Sequence, residues 1–332
     1  MESNYRKRRI HCVKVAMTHQ KVYRTVTILA ALAITIVLVF FLLSQIRICD
    51  FIIILSKINL LYLFLAFIPY VCAYFLRALR FYILLNREIS IKDLFSIVCM
   101  HTFMNNILPA RTGELTYIYL LKLHNKRISE GIATLAFARF FDFISISLLF
   151  IISSFFVGLL KEFMMLLICV TFLIITSISC FTFMSKKFMK KRILNYLPRK
   201  IEEIIDNFMH VRKSGKLKQL MVVSIFVWIS LYSAIYFVAI SINLNLTFFE
   251  VLFASTFAII TTILPIQGIG GFGTTEGGWC IGFIAIGLTK DVAISTGFAF
   301  HIIILAYSAI LGFYGFSQII MFKKQIFGYE KK

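Results

Sequence analysis

Seven ionisable side chains stand out in this sequence because nearly everything around them is apolar: Arg80, Arg111, Glu114, Arg139, Asp142, Glu276 and His301. Arginine presents a planar fork of donors that grips a phosphate or carboxylate through two parallel hydrogen bonds. Carboxylates beside arginines balance that charge, and a histidine adds a charge that depends on pH. The spacing is informative as well. Arg139 and Asp142 share a helix face at i, i+3, Glu114 is followed 25 residues later by Arg139, and Glu276 is followed 25 residues later by His301. An ionised side chain at the centre of a bilayer costs roughly 2.5–3.5 kcal/mol, so these groups must be paired, hydrated or shallow. One account is structural, with Arg139 and Asp142 pairing with Glu114 or Arg111 to lock a hairpin. The other is a polar cavity that binds an anion, and the two are compatible. His301 is equally readable as a satisfied interior histidine. Asn105 and Asn106 are read first as caps for opened backbone.

A second chemical signal is Gly268-Ile-Gly270-Gly271-Phe-Gly273, which fits G-x-G-x-x-G and has an acid, Asp291, downstream. That pattern marks a dinucleotide site only between a strand and a helix in a soluble unit. Composition removes that context. The 332 residues are 60% hydrophobic and 15% charged and include 36 Phe, with a mean hydropathy of +0.89, far from a soluble domain. The chain reads as an all-α integral membrane protein. Its seven cysteines, an odd number with no C-x-x-C pair, read as small apolar residues and not as a metal or disulfide framework.

The positioning elements follow from apolar run lengths. Spans are expected at about 25–46, 59–84, 132–158, 163–184, 219–241 and 292–322, each near the ~20 residues a bilayer requires. Residues 94–108 and 114–123 flank LPARTGE, and 248–264 and 276–288 flank PIQGIGGFGTT. Each arm is too short to cross and each pair is broken by Pro and Gly, so both read as re-entrant helical hairpins. Pro109, Gly113, Pro265, Gly268, Gly270, Gly271 and Gly273 form the expected hairpin backbone, with opened N–H groups available to an anion.

With the N-terminus cytoplasmic, the inside segments hold 29 Lys and Arg and the outside ones 4, which places both termini inside. The net charge of +20 is then mostly a topology signal, and nucleic acid is not an expected partner. The expected organisation is a basic N-terminus (1–23), one polytopic domain (24–324) and a cytoplasmic tail (325–332). Within the domain, repeat 1 (about 59–158) and repeat 2 (about 219–322) each hold one hairpin, entering from opposite sides: an inverted-topology repeat. Between them, residues 186–218 read as an amphipathic helix on the cytoplasmic leaflet, or as a docking helix for a partner protein.

In combination, RALRFYILL (77–85), LPARTGELTYIYLLK (108–122), ARFFD (138–142) and PIQGIGGFGTTEG (265–277) resemble the lysylphosphatidylglycerol synthase transmembrane family, also called flippase-like membrane proteins. The resemblance covers about residues 25–322 and implies movement of a lipid, such as an aminoacylated phosphatidylglycerol, between leaflets. It places Arg80, Arg111, Gly113, Glu114, Arg139, Asp142, Pro265, Gly270, Gly271, Gly273 and Glu276 on the family's pattern. His301 departs from it, standing where the family has Arg. The bifunctional members also carry a soluble transferase domain that this sequence does not show.

The expected function is therefore binding and translocation of an anionic phospholipid or lipid-linked phosphate in the plasma membrane. Arg80, Arg111, Glu114, Arg139, Asp142, Glu276 and His301 would contact the substrate. The alternative is a non-catalytic membrane subunit that presents lipid to a separate glycosyl- or aminoacyl-transferase. No metal, cofactor or catalytic residue is expected, because no nucleophile or metal set accompanies the acids.

Overall fold

The computed structural model of the protein describes residues 56–159, 161–163, 215–263 and 269–329, with isolated positions at 36, 37, 40 and 54. The described residues are helical, with no strand among them. Eight α-helices follow in order: α1 (Leu60–Leu84), α2 (Ile91–Ile107), α3 (Glu114–Leu123), α4 (Ile128–Val157), α5 (Leu217–Ser241), α6 (Phe248–Ile263), α7 (Thr274–Ala285) and α8 (Lys290–Tyr329). Single 3₁₀ turns at Pro109–Arg111 and Ile269–Gly271 separate α2 from α3 and α6 from α7. The same order thus occurs twice: long helix, shorter helix, 3₁₀ break, short helix, long helix. The expected spans at 25–46 and 163–184 and the amphipathic helix at 186–218 fall outside the described residues apart from positions 36, 37, 40, 163 and 215–218, and Pro265 and Gly268 lie outside them too.

Among the described residues four helices, α1, α4, α5 and α8, are long and apolar enough to cross a membrane. Large apolar side chains point outward from several helices, among them Phe64, Leu115, Phe155, Phe226, Ile281 and Phe313. In water such a surface would drive aggregation; against lipid tails it costs nothing. The interior is aromatic and small-residue rich, with Tyr74, Tyr117, Tyr232, Phe137 and Trp279 almost wholly enclosed.

Local chemistry fixes the helix ends. The Asn59 side chain accepts a hydrogen bond from the Leu61 N–H, and that of Ser90 accepts one from Asp93 N–H; each satisfies a donor that the first turn leaves open. Gly158 closes α4 in the left-handed region at φ 79°. The α1 and α5 helices run antiparallel and pack along their length. Asn59 N–H, at the start of α1, donates to Ser241 O at the end of α5 (2.9 Å). At the opposite end Lys216 Nζ, just before α5, donates to Ile83 O (3.4 Å). The α2 helix lies against α8, and α6 against α4 and α7, so each half lends its broken element to the other. The two 3₁₀ breaks lie close to each other.

The first break depends on Gly113. A Cβ there would stand 2.3 Å from the Asn105 backbone nitrogen and 2.5 Å from the Met104 carbonyl carbon. Only glycine lets the chain fold back against the end of α2 this closely. In the second hairpin the α6–α7 contact is equally close, since a Cβ on Gly282 would overlap Ala254 O at 1.9 Å.

Candidate functional site

Both hairpin acids meet the basic residue 25 positions further on. Arg139 Nε and Nη2 reach Glu114 Oε1 at 3.1 and 3.0 Å. His301 Nδ1 lies 2.7 Å from Glu276 Oε1. The likeness extends to a second layer. Tyr117 OH bonds Thr134 Oγ1 (3.0 Å) and Trp279 Nε1 donates to Thr296 Oγ1 (3.2 Å), 17 residues apart in both cases. Each threonine hydroxyl also donates back to the carbonyl four residues earlier, Glu130 O or Val292 O. In each half, therefore, one aromatic and one acid from the short helix dock on the following long helix.

The first half gathers charge. Arg80 from α1 donates through Nη1 to Asp142 Oδ1 (2.6 Å) and through Nη2 to Asp142 Oδ2 (3.3 Å). Trp228 Nε1 from α5 adds a bond to Asp142 Oδ1 (2.9 Å), and Arg80 Nη1 also donates to Ser224 Oγ (3.1 Å). Arg80 and Asp142 are only 2% and 3% exposed. Charges so deeply placed persist only when paired and hydrogen-bonded, and here three helices supply the partners. Arg139 reaches Asp142 Oδ2 at 3.4 Å, and Arg111 Nη2 reaches Glu114 Oε1 at 3.3 Å. Unlike the Arg80 pair, the Arg139–Glu114 pair is partly open, with side chains 35% and 31% exposed.

These residues surround a cavity of about 140 Å³ whose polar wall includes Arg77, Arg80, Arg111, Arg139, Asp142 and Asn105. A second cavity of about 160 Å³ adjoins it, with a mainly apolar wall that includes Leu231, Ile235, Ile259 and Phe300. Arg77, Thr102, Asn106, Trp228 and Thr262 line both. Asn106 is held there by its bond to Ser308 Oγ on α8 (2.8 Å).

Arg77, which is not among the seven side chains singled out from the sequence, stands in the wall of both cavities. Its guanidinium lies 5.6 Å from the Tyr74 ring centroid and makes no ion pair among the described residues. The signal was available: Arg77 and Arg80 are i, i+3 and therefore share a face of α1. In the same cavity Arg80 Nε and Asn105 Oδ1 are buried without a hydrogen-bond partner among the described residues. Among the described residues, four arginines of this cavity wall thus stand against two carboxylates, Asp142 in the wall and Glu114 beside it, an excess of two positive charges.

Arg111 is placed at a conformational cost. Its φ of 57° lies in the left-handed region, which disfavours a side chain by about 1–2 kcal/mol. The residue standing three before Glu276 is Gly273, with φ 83°. The second half uses glycine in the left-handed region where the first half uses arginine.

Glu276 and His301 form a separate pair. Glu276 is 0% exposed; its Oε2 accepts from Gly273 N–H (2.8 Å) and so caps α7, while its other oxygen holds His301. It lines neither cavity, whereas His301, Gly270 and Gly271 line the apolar one. Of the seven expected substrate residues, then, Arg80, Arg111, Glu114, Arg139 and Asp142 come together. Glu276 and His301 come together elsewhere. Among the hairpin residues, Pro109 opens the first 3₁₀ turn, and Gly270, Gly271 and Gly273 all take positive φ.

Residues 28–312 match the family described as the lysylphosphatidylglycerol synthase TM region. The chain is also similar to a UPF0104 membrane protein of Methanocaldococcus jannaschii, 32% identical over 185 residues, which covers 52% of this chain and 76% of that one. No solved structure matches the chain.

Proposed function

The chain belongs to the lysylphosphatidylglycerol synthase TM region family and is a multi-pass membrane protein, and from that premise we propose that it binds an anionic lipid headgroup and carries it between leaflets. The observation behind this reading is the excess of arginine over carboxylate around one cavity. A fully matched set of ion pairs would serve as a lock. Two surplus guanidinium charges in a low-dielectric interior instead require an anion.

In this reading the protein has six spans and two re-entrant hairpins in an inverted repeat, with both termini cytoplasmic. The antiparallel α1–α5 pair, the repeated element order and the matched Glu–basic and aromatic–Thr contacts support that arrangement. The hairpins act as gates where the two breaks lie close to each other. Arg139 and Glu114, partly open to the outside of the fold, exchange their mutual pairing for the headgroup as it enters. Arg80 and Asp142 stay fixed and set the position of Arg139 through Asp142 Oδ2. Glu276 is a positioning residue that holds the second break. In this reading the acids act as counter-charges to the basic side chains they pair with, and the protein is a carrier and not an enzyme.

The test is leaflet exchange of labelled anionic lipids in liposomes containing the purified protein. Wild type accelerates exchange of at least one, and Arg139→Ala abolishes that acceleration while the protein stays folded in detergent. Wild-type liposomes no faster than protein-free ones for every anionic lipid tried, lipid-linked sugars included, would overturn the proposal.

A further inference from the structure

We propose that the site selects a dianionic headgroup, a phosphomonoester or diphosphate carried on an apolar chain, and that Arg77 is the residue that makes the selection. This rests on the anionic-lipid reading above and narrows it.

The first argument is charge. Around the polar cavity Glu114 is shared by Arg111 and Arg139, and Asp142 is held by Arg80, Arg139 and Trp228. Both carboxylates already face guanidinium groups, and Glu276 is committed to His301 and the Gly273 N–H. A phosphodiester esterified with lysine carries two ammonium groups against one phosphate charge and would add net positive charge to a surplus of two, and one with a single ammonium would leave that surplus unchanged. A phosphodiester brings one negative charge and neutralises half of it. A phosphomonoester brings about −1.5 to −2 at neutral pH and matches it.

The second argument is hydrogen bonding. A dianion offers several acceptor oxygens, and the cavity wall carries the Arg77 guanidinium, which makes no ion pair among the described residues, beside Arg80, whose Nε is buried without a hydrogen-bond partner among them. Asn105 adds an amide whose Oδ1 is buried and unpaired among the described residues. Rotation of that amide by half a turn would present N–H groups to the anion instead.

The third argument is shape. Arg77 stands on the wall common to the polar and the apolar cavity. A ligand whose charge ends where its hydrocarbon begins would place that junction at Arg77. The apolar cavity, with Leu231, Ile235, Ile259 and Phe300 in its wall, would take the first part of the chain. A free phosphate would leave it unfilled.

The experiment is a binding competition with the full-length protein in phosphatidylcholine nanodiscs, using phosphatidic acid, phosphatidylglycerol and lysyl-phosphatidylglycerol as probes and inorganic phosphate as soluble competitor. Phosphatidic acid is expected to be preferred over phosphatidylglycerol by about ten-fold or more, equivalent to about 1.4 kcal/mol, with lysyl-phosphatidylglycerol retained no better than phosphatidylcholine. Arg77→Gln removes that preference and Arg77→Lys restores part of it, with thermal unfolding used to confirm that both variants fold. Lysyl-phosphatidylglycerol binding as well as phosphatidic acid, or a preference unchanged in Arg77→Gln, would sink the proposal. Displacement by equimolar phosphate would show a soluble dianion as the ligand and remove the lipid part. Equal retention of phosphatidic acid and phosphatidylglycerol overturns this inference and leaves the anionic-lipid reading standing. Retention of no anionic lipid overturns both.

Discussion

The two hairpin sites share a frame and differ in what fills it. In both, an acid at the start of a short helix meets a basic residue 25 positions later, and an aromatic one turn on meets a threonine. The first pair, Glu114 with Arg139, is about one-third exposed and sits among further arginines. The second, Glu276 with His301, is closed off, at 0% and 6% side-chain exposure. Where the first site has Arg111 in a left-handed conformation, the second has Gly273. Asp142 follows Arg139 by three, and the corresponding position after His301 is Ile304. One framework thus serves as a partly open, cation-rich pocket on one side and as a closed hairpin anchor on the other. The shared frame holds each break in place, and the proposed headgroup site is the half in which surplus charge surrounds that frame.

The largest effect expected from breaking this contrast is at Asp142. Asp142→Leu makes the first site resemble the second, but it strands Arg80, 2% exposed, without its carboxylate. Removing one partner of a buried pair costs about 3–5 kcal/mol. Thermal or denaturant unfolding in detergent should show a loss of that size, and a loss below about 1 kcal/mol would mean that Arg80 is hydrated and the cavity far wetter than its geometry indicates.

Next in size is Glu276→Ala. It removes both the cap on Gly273 N–H and the partner of His301, each loss being worth about 1–3 kcal/mol for a buried donor. The comparison predicts a lower unfolding temperature, with lipid exchange per folded molecule reduced far less than by Arg139→Ala. Equal loss of exchange in the two variants, at equal folded fraction, would erase the distinction between anchor and pocket.

The smallest and sharpest is Arg111→Gly, which gives the first break the residue type that the second has at Gly273. Relief of the left-handed strain, about 1–2 kcal/mol, offsets loss of the partly exposed pair with Glu114, worth up to about 1 kcal/mol. Unfolding stability should therefore stay level or rise slightly while anionic-lipid binding drops. A large destabilisation would assign Arg111 to the fold instead of to the ligand.

Much of the frame was legible in the sequence. The arms of the first hairpin are read at 94–108 and 114–123, and the helices run Ile91–Ile107 and Glu114–Leu123. The second is read at 248–264 and 276–288 against Phe248–Ile263 and Thr274–Ala285. Proline and glycine interrupt an apolar run by removing donors and admitting positive φ, so such breaks are written locally. The equal 25-residue offsets pointed to partners because a short helix and the next long helix must fold back on each other. Arg77 was legible only as far as the helix face it shares with Arg80 at i, i+3. Its sequence neighbours place it one helical turn before Arg80, and nothing local distinguishes a cation at a membrane end from one facing a cavity.

The sequence by itself determined that the chain lives in a membrane, where its apolar helices break, and which acids and bases lie within them. Those properties follow from side-chain transfer energies and backbone stereochemistry, which act over a few residues. Only the tertiary structure decided which charges are spent on one another and which are left over. Asp142 is satisfied by Arg80 on α1 and Trp228 on α5, at separations of 62 and 86 residues, while Arg77 on the same helix as Arg80 makes no ion pair among the described residues. Electrostatic pairing in a low-dielectric interior depends on distances across the packed helices, and a linear order of residues does not carry them.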